Sequence, residues 1–132
     1  MVDTWQPNTG IDTISVAKLV QLAEIISSQE TAKDEIKQLN EADINQIANH
    51  LNSSQEAWLK AIETLSTEQV LNLCMVFTLG EMEFSSWSFA SKNPTIYFLR
   101  HLKAKKTSVE KDFVRWLKKQ TDNRYIPYGP AL

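Results

Sequence analysis

Residues 67–84 read TEQVLNLCMVFTLGEMEF, a run whose apolar residues go round a helix instead of lying along one stripe. Val70, Leu73, Cys74 and Phe77 fall at i, i+3, i+4 and i+7, and Leu71, Met75, Val76 and Leu79 fill most of the other directions. A helix that is hydrophobic all round is buried on every side. The rest of the chain must therefore supply amphipathic segments to surround it, which points to an all-α fold. Ser66 and Gln69 predict a capping box at its start, the serine hydroxyl taking the amide three residues on while the glutamine reaches back. Gly80, near the far end, either terminates the helix or admits another backbone at close range.

The flanking segments have the required pattern. Pro7, Asn8, Thr9 and Gly10 predict an irregular lead-in over residues 1–11, with Trp5 and Ile11 packing onto the body. Asp12 or Thr13 is the expected cap of a helix over 14–27, striped by Val16, Leu19, Val20, Ala23 and Ile26 and widened by Leu22 and Ile25. Residues 29–40, with Ile36 and Leu39 to bury, read as a lightly anchored helix. Asn40 caps the next, whose stripe is Ile44, Ile47, Ala48 and Leu51; it stops near Asn52. Ser53 or Ser54 caps another with Trp58, Ala61, Ile62 and Leu65, and these two stripes can face each other as a hairpin.

Beyond the central run, Trp87 and Phe89 need burial. Asn93 reads as a cap and Pro94 as the first residue of a helix to about Lys105, because proline's missing amide hydrogen costs nothing there. Thr107 and Glu110 repeat the capping-box spacing ahead of a last helix reaching about Thr121, and the two prolines of NRYIPYGPAL exclude its continuation. Short polar joints and the absence of any alternating strand pattern give a compact bundle of six or seven helices around a buried central one. A short HEAT-like helical array is the alternative, ranked second because no motif recurs at a fixed period.

At 132 residues the chain fits a single helical domain over 1–132, with the lead-in at 1–11 and a tail at 123–132. One cysteine, Cys74, allows no intrachain disulfide and suits a reducing compartment. Neither a secretory signal nor a run of ~18 apolar residues is present, so the expected location is cytoplasmic, with no membrane partner.

Catalytic chemistry is thinly provided. A nucleophile needs a base and an orienting group within reach. There are two histidines, His50 and His101; Cys74 is enclosed by apolar neighbours; Ser85, Ser86 and Ser88 lack the Gly-x-Ser-x-Gly setting. Glu81 and Glu83 point to different sides of a helix, and His50 has only Asp43 seven residues before it, so no metal-ligating set converges. Gly10, Gly80 and Gly129 are isolated, so there is no phosphate loop. Glu81, at the end of the buried helix, is the one acid whose surroundings could equip it for proton transfer; the preferred reading has it facing water or pairing with a basic residue of the last helices. No catalytic residue, cofactor or metal is expected.

Charge is divided unevenly. Residues 1–91 carry four lysines and thirteen acidic residues, a net −9, whereas residues 92–132 carry ten basic and three acidic residues, a net +7. In the last helix Lys111, Arg115, Lys118 and Lys119 form one stripe opposite Val109, Phe113, Trp116 and Leu117. The preceding helix adds Arg100, Lys103 and Lys106, with His101 and Lys105 beside them, over a buried face of Ile96, Leu99 and Leu102. Such a surface is either a solvated face whose lysines compensate the chain's own acids, or a site for an acidic protein partner or for self-association between oppositely charged ends. Nucleic acid is the alternative, disfavoured because the −9 portion repels phosphates and no helix-turn-helix signature places a recognition helix. The expected function is a non-enzymatic, regulatory or protein-interaction module.

The tail residues Tyr125, Ile126, Tyr128 and Leu132 are too apolar to be left in water, and are expected to pack back across the bundle or be offered to a partner groove. Asn123 and Arg124 are expected to fix its exit by capping the last helix's carbonyls. Over the segments SSWSFASKNPTIYFLRHL and TDNRYIPYGP the chain resembles a small, uncharacterised bacterial all-helical family, with a Trp before a Lys-x-Pro helix start and an Asn-Arg-aromatic-x-Pro-Tyr-Gly ending. The resemblance covers the last third of the chain and implies no activity, ligand or catalytic residue.

Overall fold

The computed structural model describes residues 13–107 and 109–126. Seven α-helices follow one another among them, with no strand: α1 Val16–Glu24, α2 Ala32–Glu35, α3 Glu41–Ala48, α4 Gln55–Ile62, α5 Thr67–Glu83, α6 Pro94–Ala104 and α7 Lys111–Lys119. Short 3-10 turns at Ile36–Gln38 and Ala90–Lys92 complete the order. The expectations for Trp5, Ile11, Asp12, Tyr128 and Leu132 lie outside the described residues.

Four of the expected caps are formed by the side chains named for them. Asn40 accepts from the Asp43 amide at 2.8 Å, Ser54 from Ala57 at 3.1 Å and Asn93 from Thr95 at 2.8 Å. At α5 both halves of the capping box close, Ser66 Oγ accepting from Gln69 N at 3.1 Å and Gln69 Oε1 from Ser66 N at 2.8 Å. Each such cap stabilises a helix by about 1 kcal/mol. Others differ. Ser15, not residue 12 or 13, caps α1, and the helix is shorter than the apolar stripe because Ile14 and Ile26 are buried from its flanks. The segment 29–40 yields one α-helical turn and a 3-10 turn, held by Ala32 as well as Ile36. The capping box expected at Thr107 and Glu110 does not form: Glu110 is the N-cap and its side chain makes no cap bond.

The central helix is as enclosed as its sequence demands. Every residue from 73 to 80 is buried. It packs against α1 and α6, and α4 in turn packs against α6 and α1, so the four form a ring in which α1 and α6 occupy opposite corners. This is a compact bundle, not a superhelical array. The stripes of α3 and α4 do not make the expected hairpin their main contact; the principal neighbours of α4 are α6 and α1. A nest of rings fills the ring's interior: Trp58 meets Phe77 and Phe98 edge-on at centroid distances of 5.3 and 6.2 Å, and Phe89 meets Phe77 edge-on at 5.8 Å. Edge-on pairs contribute ~0.5–1.5 kcal/mol each beyond their buried area.

Polar groups brace the helices where the apolar core alone would let them slide. Thr95 Oγ1, on α6, donates to the Cys74 carbonyl of α5 at 3.1 Å and sits 3.1 Å from Thr78 Oγ1. Lys18 on α1 is paired with Asp43 on α3, whose other oxygen accepts from Gln21 at 3.4 Å. Burial of this pair is tolerable because both charges are satisfied. Gly80 does not terminate α5, which continues to Glu83, and what approaches it is the indole ring of Trp87 rather than a backbone.

Candidate functional site

Asn93 stands immediately before α6 and Asn123 shortly after α7, and both side-chain amides donate to Glu81 Oε1, at 3.0 and 2.8 Å. The start of α6 and the exit of α7 are thus tied to one carboxylate, and residues 105–110 connect their other ends. Their sequences decide which sides face out. On α6, Ile96, Phe98, Leu99 and Leu102 are buried, which turns Arg100 and Lys103 to solvent. On α7, Val114 and Leu117 are buried, with Phe113 and Trp116 half-buried and stacked at 6.4 Å, which turns Lys111, Arg115 and Lys119 outward.

The basic residues are not equivalent. Lys103, Lys111, Lys119 and Arg100 are exposed, and among the described residues none meets a carboxylate. Lys106 is exposed too, but it lies beyond the end of α6 with φ of 60°, so Arg100, Lys103 and Lys106 are not one helical stripe as their spacing suggests. Arg115 pairs with Asp112 at 3.1 Å, one turn back on α7; both are largely in water, where such a pair contributes little. Lys118 is half-buried and donates to the Asn123 carbonyl at 3.0 Å, so it fastens the chain as it leaves α7. Tyr125 is 46% exposed, with the Arg124 guanidinium 5.4 Å from its ring centroid. Tyr128 lies outside the described residues.

Glu81 is half-buried and, among the described residues, pairs with no basic side chain. Besides the two asparagine amides on Oε1, its Oε2 accepts from the Ala90 amide at 2.8 Å. One carboxylate therefore ties α5, the loop before α6, the start of α6 and the exit of α7. Asn123 also donates to the Ala90 carbonyl at 2.9 Å, which holds Ala90 at φ 52° from both sides. This replaces the helix-capping role expected of Asn123 and Arg124; it is Gln120 that donates to the Trp116 carbonyl, at 3.1 Å. No local spacing in the sequence links positions 81, 93 and 123, so the clamp is invisible until the helices are packed.

A cavity of about 390 Å³ opens beside the clamp, walled by Met82, Trp87 and Tyr125 and edged by Ser85, Ser88, Asp122 and Arg124. Glu81 contributes to its lining, with its oxygens engaged by three N–H groups, which favour the ionised form. Cys74 is fully buried, and burial pushes its thiol well above the usual range, away from the nucleophilic thiolate. Among the described residues no group of three or more His, Cys, Asp or Glu side chains converges as metal ligands, and no helix is long and apolar enough to cross a membrane. Compared with family models, curated proteins and solved structures, the chain has no match in any of the three.

Proposed function

We propose that the chain is a non-enzymatic helical interaction module that binds an acidic protein segment through the exposed basic side chains of α6 and α7. The observation that carries this reading is that Arg100, Lys103, Lys106, Lys111 and Lys119 are exposed without a carboxylate partner among the described residues, in a chain whose other part is net −9. Exposed cations left free by their own protein raise encounter rates with acidic surfaces and set the register of docking. The clamp at Glu81 supports the same reading, because it presents the two helices as a fixed pair. That the Glu81 carboxylate lining the cavity is engaged by three donors favours a structural role for it over acid–base chemistry.

Fluorescence anisotropy with poly-glutamate as the probe tests this, comparing the native chain with a variant carrying Lys103→Glu, Lys111→Glu, Arg115→Glu and Lys119→Glu. Lys118 is left in place because it holds the Asn123 carbonyl. The native chain is expected to bind, and the variant to lose at least tenfold in affinity. Equal binding by both would overturn the proposal. A single-stranded oligonucleotide run in parallel decides the alternative: if it binds with steep salt dependence while poly-glutamate does not, nucleic acid is the partner.

A further inference from the structure

Basic α6 and α1, whose end carries Glu24 and leads into Glu30 and Asp34, stand at opposite corners of the four-helix ring, and this placement, together with the charge division, identifies one partner of the right chemistry. We infer that the acidic surface bound by α6 and α7 is the α1–α2 face of a second copy of this chain, in a head-to-tail contact. The inference rests on the interaction reading above and names its partner.

The acidic face is as unneutralised as the basic one. Glu24 at the end of α1, Glu30 in the following turn, Asp34 on α2 and Glu41 at the start of α3 are exposed, and among the described residues no Lys or Arg pairs with them. Glu35, half-buried, accepts from the Ser27 amide at 2.9 Å, which ties α2 to the turn after α1, the stretch of chain that carries Glu24, Glu30 and Asp34. Two lysines, Lys33 and Lys37, share that region, so it remains net acidic. Lys18 is already committed to Asp43.

Geometry decides between self-docking and docking to a copy. α1 and α6 are separated by α5 and α4, each of which packs on both, so a rigid bundle cannot bring its own two charged faces together. A second molecule can. Because the faces lie on opposite corners, one contact leaves each molecule with one face free, so the interface is heterologous and the assembly grows as a ring or an open chain instead of stopping at a two-fold dimer. With exposed charges at both faces, the contact weakens as the Debye length shortens, from about 30 Å at 0.01 M ionic strength to about 8 Å at 0.15 M.

The test uses three full-length proteins in analytical ultracentrifugation: the native chain, a base-reversed variant (Lys103→Glu, Lys111→Glu, Lys119→Glu) and an acid-reversed variant (Glu24→Lys, Glu30→Lys, Asp34→Lys). At low salt the native chain is expected to sediment at multiples of its 15.1 kDa, returning to one chain as salt is raised. Each variant alone is expected to be monomeric, with native helicity by circular dichroism. Mixed together they are expected to associate, since both faces of one variant are then acidic and both faces of the other basic. A native chain monomeric at low salt, an associating variant, or a mixture that stays monomeric would each overturn the inference. If the native chain is monomeric yet still binds poly-glutamate, the interaction reading stands and only the identity of the partner falls.

Discussion

The six-membered ring of Trp87 stands where a Cβ on Gly80 would be, with Cζ3 2.1 Å and Cε3 2.4 Å from that position. The ring cannot withdraw freely, because its indole N–H donates to the Ile44 carbonyl at 2.9 Å and its faces and edges meet Phe77, Phe84 and Phe89. In an exposed helix, Gly to Ala gains about 1 kcal/mol. Here Gly80→Ala is expected to cost about 2 kcal/mol net, since overpacking costs ~1–3 kcal/mol and a displaced indole adds a lost hydrogen bond. Urea unfolding followed by tryptophan fluorescence checks this. A variant as stable as the native chain would mean that the ring does not occupy that space.

Asparagine and aspartate serve about equally as helix caps. At position 93 they are not interchangeable, because the side-chain amide also donates to the Phe77 carbonyl at 3.2 Å and to Glu81 at 3.0 Å. Asn93→Asp sets a carboxylate against both acceptors, and is expected to destabilise by more than Asn93→Ala, which costs roughly 2–3 kcal/mol for the lost cap and the unmet buried groups. The deficit of Asn93→Asp is expected to shrink as pH falls toward about 4, where the introduced carboxyl takes a proton. Denaturant midpoints of both variants across that range decide it; if aspartate is neutral at pH 7, the amide's second role is wrong.

Lys106 ends α6 in the left-handed region, with its amide donating to the Lys103 carbonyl and the Thr107 amide to the Leu102 carbonyl, both at 2.9 Å. This is the Schellman closure, a position where glycine is the usual occupant because it lacks a Cβ. Lys106→Gly is therefore expected to raise stability by about 1 kcal/mol. A lower thermal midpoint for this variant would contradict the backbone geometry.

Cys74 gives a pH signature. Burial raises its thiol, so the unfolded chain gives up this proton first, above about pH 9, while the folded chain keeps it. The sign follows: the group's contribution is fully present below the unfolded value and declines as pH rises past it, by about 1.4 kcal/mol per unit. Stability of the native chain is expected to fall more steeply between about pH 9 and 10 than that of Cys74→Ala, with the difference isolating the thiol from the lysines and tyrosines. Parallel curves would refute it.

How far the sequence reached depends on the range of the interaction. Caps at Asn40, Ser54, Ser66 and Asn93 were legible because a cap is a contact between residues two or three apart. The burial of α5 was legible because an apolar residue in every helical direction admits only one environment. The exposed positions of Lys111, Arg115 and Lys119 followed from the same periodicity applied to α7.

What only tertiary structure decided are the contacts between residues far apart in the chain. Glu81 meets Asn93 and Asn123 twelve and forty-two residues away, and while helical spacing sets it apart from the exposed Glu83, no local pattern names those two partners. Lys118 belongs to the basic stripe by periodicity yet is spent on the Asn123 carbonyl, because the chain turns back at that point. Gly80 read as either a helix end or a place for another backbone, and is instead the hollow that receives Trp87. The sequence by itself determined most of the helices, four of their caps, the buried axis and how charge divides along the chain. Packing determined which of those charged and polar groups the protein consumes in holding itself together, because that depends on which helices become neighbours.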